Sequence, residues 1–183
     1  MEYVLGISGA SGTAYGIDIL KNLPHRRVLI MSDGAIEVAK HEMKGVSRSS
    51  ILRLADASYG ESEFTAPVAS GSHLFDAFII APASMNTIAK IANGIADNLL
   101  TRVGSIALKE RRKFVIVFRE MPLSQIHLRN LLTLSEAGVY ILPASPGLYH
   151  GVKGIDDMLS FVTSRVLDLL GIKNDLIKRW ENE

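Results

Sequence analysis

Hydrophobic residues gather in five short runs along the chain. The runs are Tyr3 to Ile7, Val28 to Met31, Ala77 to Ala81, Phe114 to Phe118 and Val139 to Leu142. Apolar and polar residues do not alternate within them, which is typical of strands that are buried on both faces of a parallel sheet. The pattern therefore predicts a parallel sheet whose two faces are covered by helices.

Between these runs, apolar residues recur every three or four positions, as they do in amphipathic helices. The apolar positions of five predicted helices begin at Ile17, Ile88, Leu99, Leu128 and Ile155. The last helix is expected to end at Gly171, because glycine often terminates a helix. Since strands and helices alternate, the chain is predicted to fold as an α/β three-layer sandwich with right-handed crossovers.

The stretch from Gly45 to Ser72 is less regular. It is rich in serine and contains three glycines, and we expect a surface excursion with one short helix over Ile51 to Ala55. The sequence contains no internal repeat, interdomain linker or low-complexity tract. Residues 1–183 are therefore predicted to form a single domain.

Composition narrows the possible functions. The chain has 183 residues, 48% of them hydrophobic, and a formal net charge of +1, which gives no reason to expect nucleic acid or an anionic membrane as a partner. It contains no cysteine, which excludes disulfides, thiolate metal sites and a cysteine nucleophile. No apolar segment approaches the roughly 18 residues of a membrane span, and the start of the chain does not have the pattern of a signal peptide. These features predict a cytoplasmic protein.

Small, hydroxyl or charged residues follow all five runs, where ligands of an open parallel sheet bind. The first run leads into Ser8 to Gly12, whose small residues allow close backbone approach and whose following helix directs its amides at a ligand. Taken alone, this turn fits a bound phosphate and a ligand-free turn equally well. The other runs are followed by Ser32-Asp33-Gly34, Ala81 to Thr87, Arg119 to Ser124 and Pro143 to His150. The whole set favours a phosphate-bearing cofactor along this sheet edge, although Asp33 also fits a simple helix cap.

Histidines and the single tryptophan add little by themselves. None of the five histidines has metal-ligand spacing to another histidine or to an acidic cluster, so no metal site is predicted. Trp180 suits either a hydrophobic anchor for the C-terminus, an aromatic lid over a ligand or a subunit contact.

Seven motifs occur in order along nearly the whole chain. They are Ser8 to Gly12, Ala66 to Ser72, Ala81 to Met85, Asn93 to Arg102, Ala107 to Arg112, Arg119 to Ser124 and Pro143 to His150. In these motifs the sequence resembles the flavin prenyltransferases of the UbiX/Pad family, within the homo-oligomeric flavin-containing decarboxylase-like superfamily. The resemblance implies a flavodoxin-like fold, FMN binding and assembly into a dodecamer.

The activity implied by this resemblance is a metal-independent prenyl transfer. Family members join a dimethylallyl group from dimethylallyl monophosphate or diphosphate to N5 and C6 of reduced FMN. The product, prenylated FMN, serves separate decarboxylases of the UbiD type. The donor phosphate must leave as the allylic group is transferred, so cations and a proton donor are needed beside it.

The resemblance also assigns site residues. FMN contacts fall on Gly9, Ala10, Ser11, Ser32, Ser84, Met85, Asn86, Thr87 and Arg119. The prenyl phosphate falls on Arg102, Lys109, Tyr149 and Arg165, the acidic positions on Glu42 and Glu120, and an aromatic position of the prenyl pocket on Trp180. Glu120 is expected to protonate the leaving phosphate, and a glutamate or the released phosphate to accept the proton from C6. From the helix that follows, we expect the flavin phosphate at Gly9 to Ser11.

This sequence departs from the family pattern at several positions. Many relatives carry Cys at Ala83, Gly at Asn86, Lys at Asp33, Phe at Leu148 and Pro at Phe118. None of these departures removes a proposed phosphate or acid group, but the side chain of Asn86 bears on flavin contact.

Two other functions remain possible from the sequence. The first is an FMN-dependent decarboxylase of cysteinyl substrates, such as the phosphopantothenoylcysteine enzyme. Those enzymes place a catalytic histidine where this chain has Val68, and they use a cysteine that this chain lacks. The second is a flavin-binding module without catalysis, which would have no use for a second phosphate site.

Overall fold

Six parallel strands form one sheet in the computed structural model, which describes residues 1–149 and 151–179. The strands are β1 (Glu2–Ile7), β2 (Arg26–Met31), β3 (Ala57–Gly60), β4 (Ala77–Ile80), β5 (Lys113–Phe118) and β6 (Tyr140–Pro143). Their order across the sheet is β3-β2-β1-β4-β5-β6. This confirms the predicted α/β class, with one strand more than the hydrophobic runs indicated.

Helices connect the strands. They are α1 (Thr13–Asn22), α2 (Asp33–Glu42), α3 (Arg48–Leu52), α4 (Met85–Ala92), α5 (Leu99–Lys109), α6 (Gln125–Glu136) and α7 (Ile155–Leu170), with a short 3-10 turn at Pro67–Ala69. Gly171 ends α7 in the left-handed conformation, at φ 79°, as the sequence predicts. None of these helices in the described ranges has the length and apolar character needed to cross a membrane.

The expected surface excursion proves to contain the additional strand. β3 pairs in parallel with β2 at the edge of the sheet, in a register that places Val28 opposite Ala57. The short helix α3 begins at Arg48 and ends at Leu52, so it starts and ends three residues before the predicted helix over Ile51 to Ala55. A four-residue edge strand of sequence Ala-Ser-Tyr-Gly carries no apolar run, and this explains why the pattern missed it.

Two hydrophobic layers enclose the sheet. On one face α4, α5 and α6 pack against β-strand residues such as Phe78 and Phe114, whose stacked rings have centroids 5.0 Å apart. On the other face α1, α2 and α7 pack against residues such as Leu5 and Val115. Helices α5 and α7 therefore lie on opposite faces, a separation that matters for the site.

Candidate active site

Ser8 joins the turns that follow the neighbouring strands β1 and β4. Its buried hydroxyl donates a hydrogen bond to the Pro82 carbonyl oxygen at 2.9 Å and accepts one from the Ser84 amide at 2.7 Å. These two bonds hold the Gly9 to Ser11 turn beside the start of α4. The sequence motifs after β1 and β4 thus meet at one edge of the sheet.

The turns after β1 and β2 also touch through their glycines. A Cβ atom built on Gly9 would lie only 3.2 Å from the Gly34 carbonyl carbon, which a side chain at this position could not tolerate without movement. Ser32 caps α2 by accepting a hydrogen bond from the Ala35 amide at 3.1 Å, whereas Asp33 is the first residue of the helix. The suggestion that Asp33 caps this helix was therefore wrong, because Ser32 already occupies the capping position.

The amides at the start of α1 are already paired with an anion. Both carboxylate oxygens of Glu42 accept from the Gly12 amide, at 2.9 and 3.0 Å, and one also accepts from the Thr13 amide at 3.1 Å. A carboxylate is a natural partner for these amides, because a helix N-terminus carries partial positive charge. Glu42 thus lies directly beside the Ser11 turn.

Helix α4 presents a second N-terminus at the same edge. Ser84 accepts a hydrogen bond from the Thr87 amide at 3.2 Å, and the hydroxyl oxygens of Ser84 and Thr87 lie 2.9 Å apart. The preceding amides of Met85 and Asn86 are the first of the helix and have no acceptor within it. Two hydroxyls and these amides form an arrangement that suits a phosphate group. The residues present therefore fit the phosphate of a flavin mononucleotide.

The turn after β5 contributes a cation and a carboxylate to this edge. Burial raises the pKa of the Tyr15 phenol on α1, and the nearby charge of Arg119 partly opposes that rise. Glu120 is exposed and accepts a hydrogen bond from the Met121 amide at 3.0 Å. Arg119 therefore lies near the first turns of α1, and Glu120 is accessible from solvent.

Tyr149 and Arg165 both lie close to Phe161 of α7. The Tyr149 ring meets the Phe161 ring edge to face, with centroids 5.9 Å apart. Arg165 follows Phe161 by one helical turn, and both line a cavity of about 170 Å³ with Leu142 and Pro143 of β6. The structure thus brings these two predicted donor ligands to the carboxyl end of β6.

Arg102 and Lys109 lie elsewhere in the same chain. Both are on α5, which packs on the face of the sheet opposite to α7. Lys109 pairs with Glu110 near the amino end of β5, whereas Arg119 follows its carboxyl end. A six-residue strand is about 20 Å long. One copy of the chain therefore does not bring Lys109 to Tyr149 and Arg165, and its Arg102 lies on the opposite face of the sheet from Arg165.

Several residues near the site are not predicted from the sequence. Ser8 stood within a recognised motif but was not assigned a role, and Asp168 pairs with Arg165 at an i,i+3 spacing that the sequence does display. The contact of Arg179 with Asp168 has no sequence signal, because it depends on how the segment after α7 folds back. Trp180 lies outside the described residues. Across residues 1–149 and 151–179, no cluster of three His, Asp or Glu side chains could hold a metal ion.

Comparisons with known proteins agree with this geometry. A model of the flavoprotein family matches residues 1–167. Flavin prenyltransferase UbiX of Thermoplasma acidophilum is 50% identical over 181 residues, which covers 98% of this chain and 100% of that protein.

Two solved structures overlay on nearly the whole chain. A dodecameric FMN-dependent UbiX-like decarboxylase from Escherichia coli gives a TM-score of 0.95 at 38% identity, covering 100% of both chains. AnUbiX (PadA1), solved in complex with FMN and dimethylallyl pyrophosphate, gives a TM-score of 0.96 at 37% identity, covering 100% of this chain and 98% of that one. The chain belongs to the flavoprotein family and, within it, to the flavin prenyltransferases of the UbiX type.

Proposed function

We propose that this protein is a flavin prenyltransferase, which transfers a dimethylallyl group from dimethylallyl phosphate to N5 and C6 of reduced FMN. The observation that carries the proposal is the full-length match to AnUbiX, whose structure holds both FMN and dimethylallyl pyrophosphate. When bound, reduced FMN supplies the nucleophilic atoms. The residues of this chain bind the two phosphates, orient the reactants and move protons.

The flavin phosphate is proposed to bind at the start of α4, on the Ser84 and Thr87 hydroxyls and the first amides. This placement differs from the Gly9 to Ser11 position expected from the sequence. The amides of Gly12 and Thr13 already bond to the Glu42 carboxylate, and a second anion there would be repelled. The remaining proposed flavin contacts are Gly9, Ala10, Ser11, Ser32, Met85, Asn86 and Arg119.

The donor site is proposed to form between copies of the chain. Tyr149 and Arg165 of one copy would bind the donor phosphate, and Arg102 and Lys109 of a second copy would complete the cluster of cations. Exposed apolar side chains flank the first pair and Glu120, since Leu148 is 70% and Met121 is 84% accessible in the isolated chain. Such surfaces are typical of protein contacts, and they support the dodecamer that the E. coli neighbour forms.

Charge and proton transfer account for the other assigned residues. The guanidinium groups of Arg102 and Arg165 and the ammonium group of Lys109 stabilise the phosphate. It leaves with the two electrons of the bond between its oxygen and the allylic carbon. Glu120, exposed beside this edge, donates a proton to the departing phosphate. Glu42 or the released phosphate accepts the proton that C6 loses when the fourth ring closes.

The product is proposed to pass to a decarboxylase of the UbiD type, because the UbiX-type family makes prenylated FMN for such enzymes. This recipient and the cytoplasmic location remain predictions from the sequence. Neither the recipient nor the location affects the chemistry proposed for the site.

A decarboxylase of cysteinyl substrates is the second candidate. The E. coli neighbour is named an FMN-dependent UbiX-like decarboxylase. In this chain the position of the expected catalytic histidine is the buried Val68, and no cysteine is available to clamp a substrate. These two differences favour prenyl transfer.

Phosphate release tests the proposal. The purified protein is incubated without oxygen with reduced FMN and dimethylallyl phosphate, and inorganic phosphate is measured over time. We expect phosphate release with reduced FMN and none with oxidised FMN, since only the reduced ring is nucleophilic enough. Carbon dioxide release from a peptide with a C-terminal cysteine, without phosphate release from the donor, would instead support the decarboxylase.

A further inference from the structure

The segment after α7 folds back onto that helix through one carboxylate. Arg179 forms two parallel hydrogen bonds with Asp168, from Nη1 to Oδ2 at 2.6 Å and from Nη2 to Oδ1 at 2.8 Å. Asn174 adds a bond from Nδ2 to Oδ1 at 3.2 Å. Bidentate arginine–carboxylate pairs fix orientation as well as distance. The segment after α7 therefore holds the Asp168 carboxylate in place through Arg179 and Asn174.

The same carboxylate reaches Arg165. Asp168 Oδ2 accepts a hydrogen bond from Arg165 Nη1 at 2.9 Å, so the two arginines share one oxygen. An arginine on the outer side of a helix otherwise samples many rotamers. Because a guanidinium has five N–H donors, Arg165 can keep this bond and still bind a phosphate through other N–H groups.

We propose that Asp168 and Arg179 are positioning residues for Arg165. Arg179 fixes the carboxylate of Asp168, and that carboxylate holds the Arg165 guanidinium in the direction of the donor phosphate. This inference rests on the proposed function, in which Arg165 binds the donor. Arg179 itself makes no contact with the donor in this arrangement.

Charge supports the arrangement. The hydrogen bonds from Arg179 are the main reason that the pKa of Asp168 is lowered, with smaller contributions from Arg165 and Asn174. Asp168 therefore stays ionised at neutral pH. Arg165 and Arg179 share the Asp168 carboxylate, and Asp175 also acts electrostatically on Arg179.

A double-mutant cycle tests the inference. Arg165→Ala, Arg179→Ala and the double variant are loaded with oxidised FMN, which prevents transfer, and the dissociation constant of dimethylallyl phosphate is measured by calorimetry. We expect Arg179→Ala alone to weaken donor binding by about five- to tenfold. In the Arg165→Ala background, the same change should have no further effect, because Arg179 acts through Arg165.

Controls separate this result from loss of structure. Arg26→Ala breaks an exposed ion pair with Glu2 at the amino end of β1 and should leave donor affinity unchanged. Arg179→Lys retains the charge and one hydrogen bond, so it should restore part of the affinity. FMN affinity and the thermal unfolding midpoint are measured for every variant, and donor affinities are compared only between folded, FMN-loaded proteins.

Each remaining outcome is decisive. Additive losses in the double variant would show that Arg179 contacts the donor directly, and unchanged affinity in Arg179→Ala would show that it has no role. Either result overturns the inference while leaving the proposed function intact. A wild-type protein that fails to bind the donor would overturn the proposed function and this inference together.

Discussion

Arg165 lies on the exposed side of α7, between the buried residues Ser164 and Val166. Replacing it with alanine should therefore leave the fold and FMN binding intact and remove a cation from the leaving phosphate. Loss of such a contact costs about 2–4 kcal/mol in the transition state. We expect Arg165→Ala to prenylate at least about a hundredfold more slowly in single-turnover measurements. A wild-type rate in the FMN-loaded variant would contradict the assignment.

Asp168 makes the stability of the folded protein depend on pH in the acidic range. Its pKa is lowered below the ordinary value of 3.8, first by Arg179. A carboxylate with a depressed folded pKa stabilises the protein above its unfolded pKa of about 3.9, and that contribution is lost as pH falls through the lower folded value. Asp168→Asn should therefore have a lower thermal unfolding midpoint at neutral pH and a flatter fall below about pH 4. Parallel curves for wild type and variant would contradict this prediction.

At single positions, the sequence predicted which motifs lie at the ligand edge, but it did not predict contacts between residues that are distant in the chain. Small and hydroxyl residues after the strands, such as Ser11 and Ser84, could be placed at the ligand edge because parallel strands end together. The hydrogen bond from the Gly12 amide to Glu42 could not be predicted, because it joins residues that only the fold brings close together. The same reason hides the pairing of Asp168 with Arg179.

Helix α1 packs unusually close to the end of β4, and Gly16 allows this approach. A Cβ atom on Gly16 would lie 2.1 Å from the Ala81 carbonyl oxygen, which belongs to the backbone and cannot rotate away. Overpacking of this kind costs about 1–3 kcal/mol or more, which outweighs the gain of about 1 kcal/mol from removing a helical glycine. We expect Gly16→Ala to lower the unfolding free energy and to weaken FMN binding, because Ala81 leads directly into Ser84.

Gly104→Ala provides a matched control for Gly16→Ala. It is the same substitution inside helix α5, where the new Cβ would lie 2.8 Å from Ile91 Cδ1, the mobile end of a side chain. Its loss of stability in denaturant unfolding should be clearly smaller. Equal losses for the two variants would mean that backbone contact at Ala81 is not what restricts Gly16.

Among the elements, the buried strands were predictable and β3 was not. β1, β2, β4 and β5 are covered on both faces and read as continuous apolar runs, as such strands must. β3 lies at the sheet edge with only its last residue buried, so Ala57 to Gly60 did not need hydrophobic side chains. Helix ends were predicted best where a single residue type sets the stop, as at Gly171.

In the whole molecule, the residues proposed for the donor site lie on opposite faces of one chain. If the proposed site is shared between copies, it needs Tyr149 and Arg165 from one copy and Lys109 from another. Arg165→Ala and Lys109→Ala should each be nearly inactive alone. Co-expressed as mixed oligomers, they should regain about a quarter of the sites, because a random pairing joins two intact halves that often. The measurement is phosphate release from the donor, with oligomer size checked by sedimentation.

A second mixture controls for this complementation. Arg165→Ala mixed with Tyr149→Phe should not recover, because both substitutions damage the same half of the site. Recovery in this control, or no recovery with Lys109→Ala, would contradict a donor site shared in this way. A protein that sediments only as a monomer at micromolar concentration would contradict it as well.

The mass of the flavin product tests prenyl transfer most directly. Purified protein is incubated anaerobically with reduced FMN and, in separate reactions, with dimethylallyl monophosphate or diphosphate, and the flavin is then extracted for mass spectrometry. We expect that with at least one donor the flavin gains the mass of one isoprene unit, and that Arg165→Ala forms little of this product. Recovery of FMN with unchanged mass from both reactions, in a protein that has bound reduced FMN and donor, would contradict it.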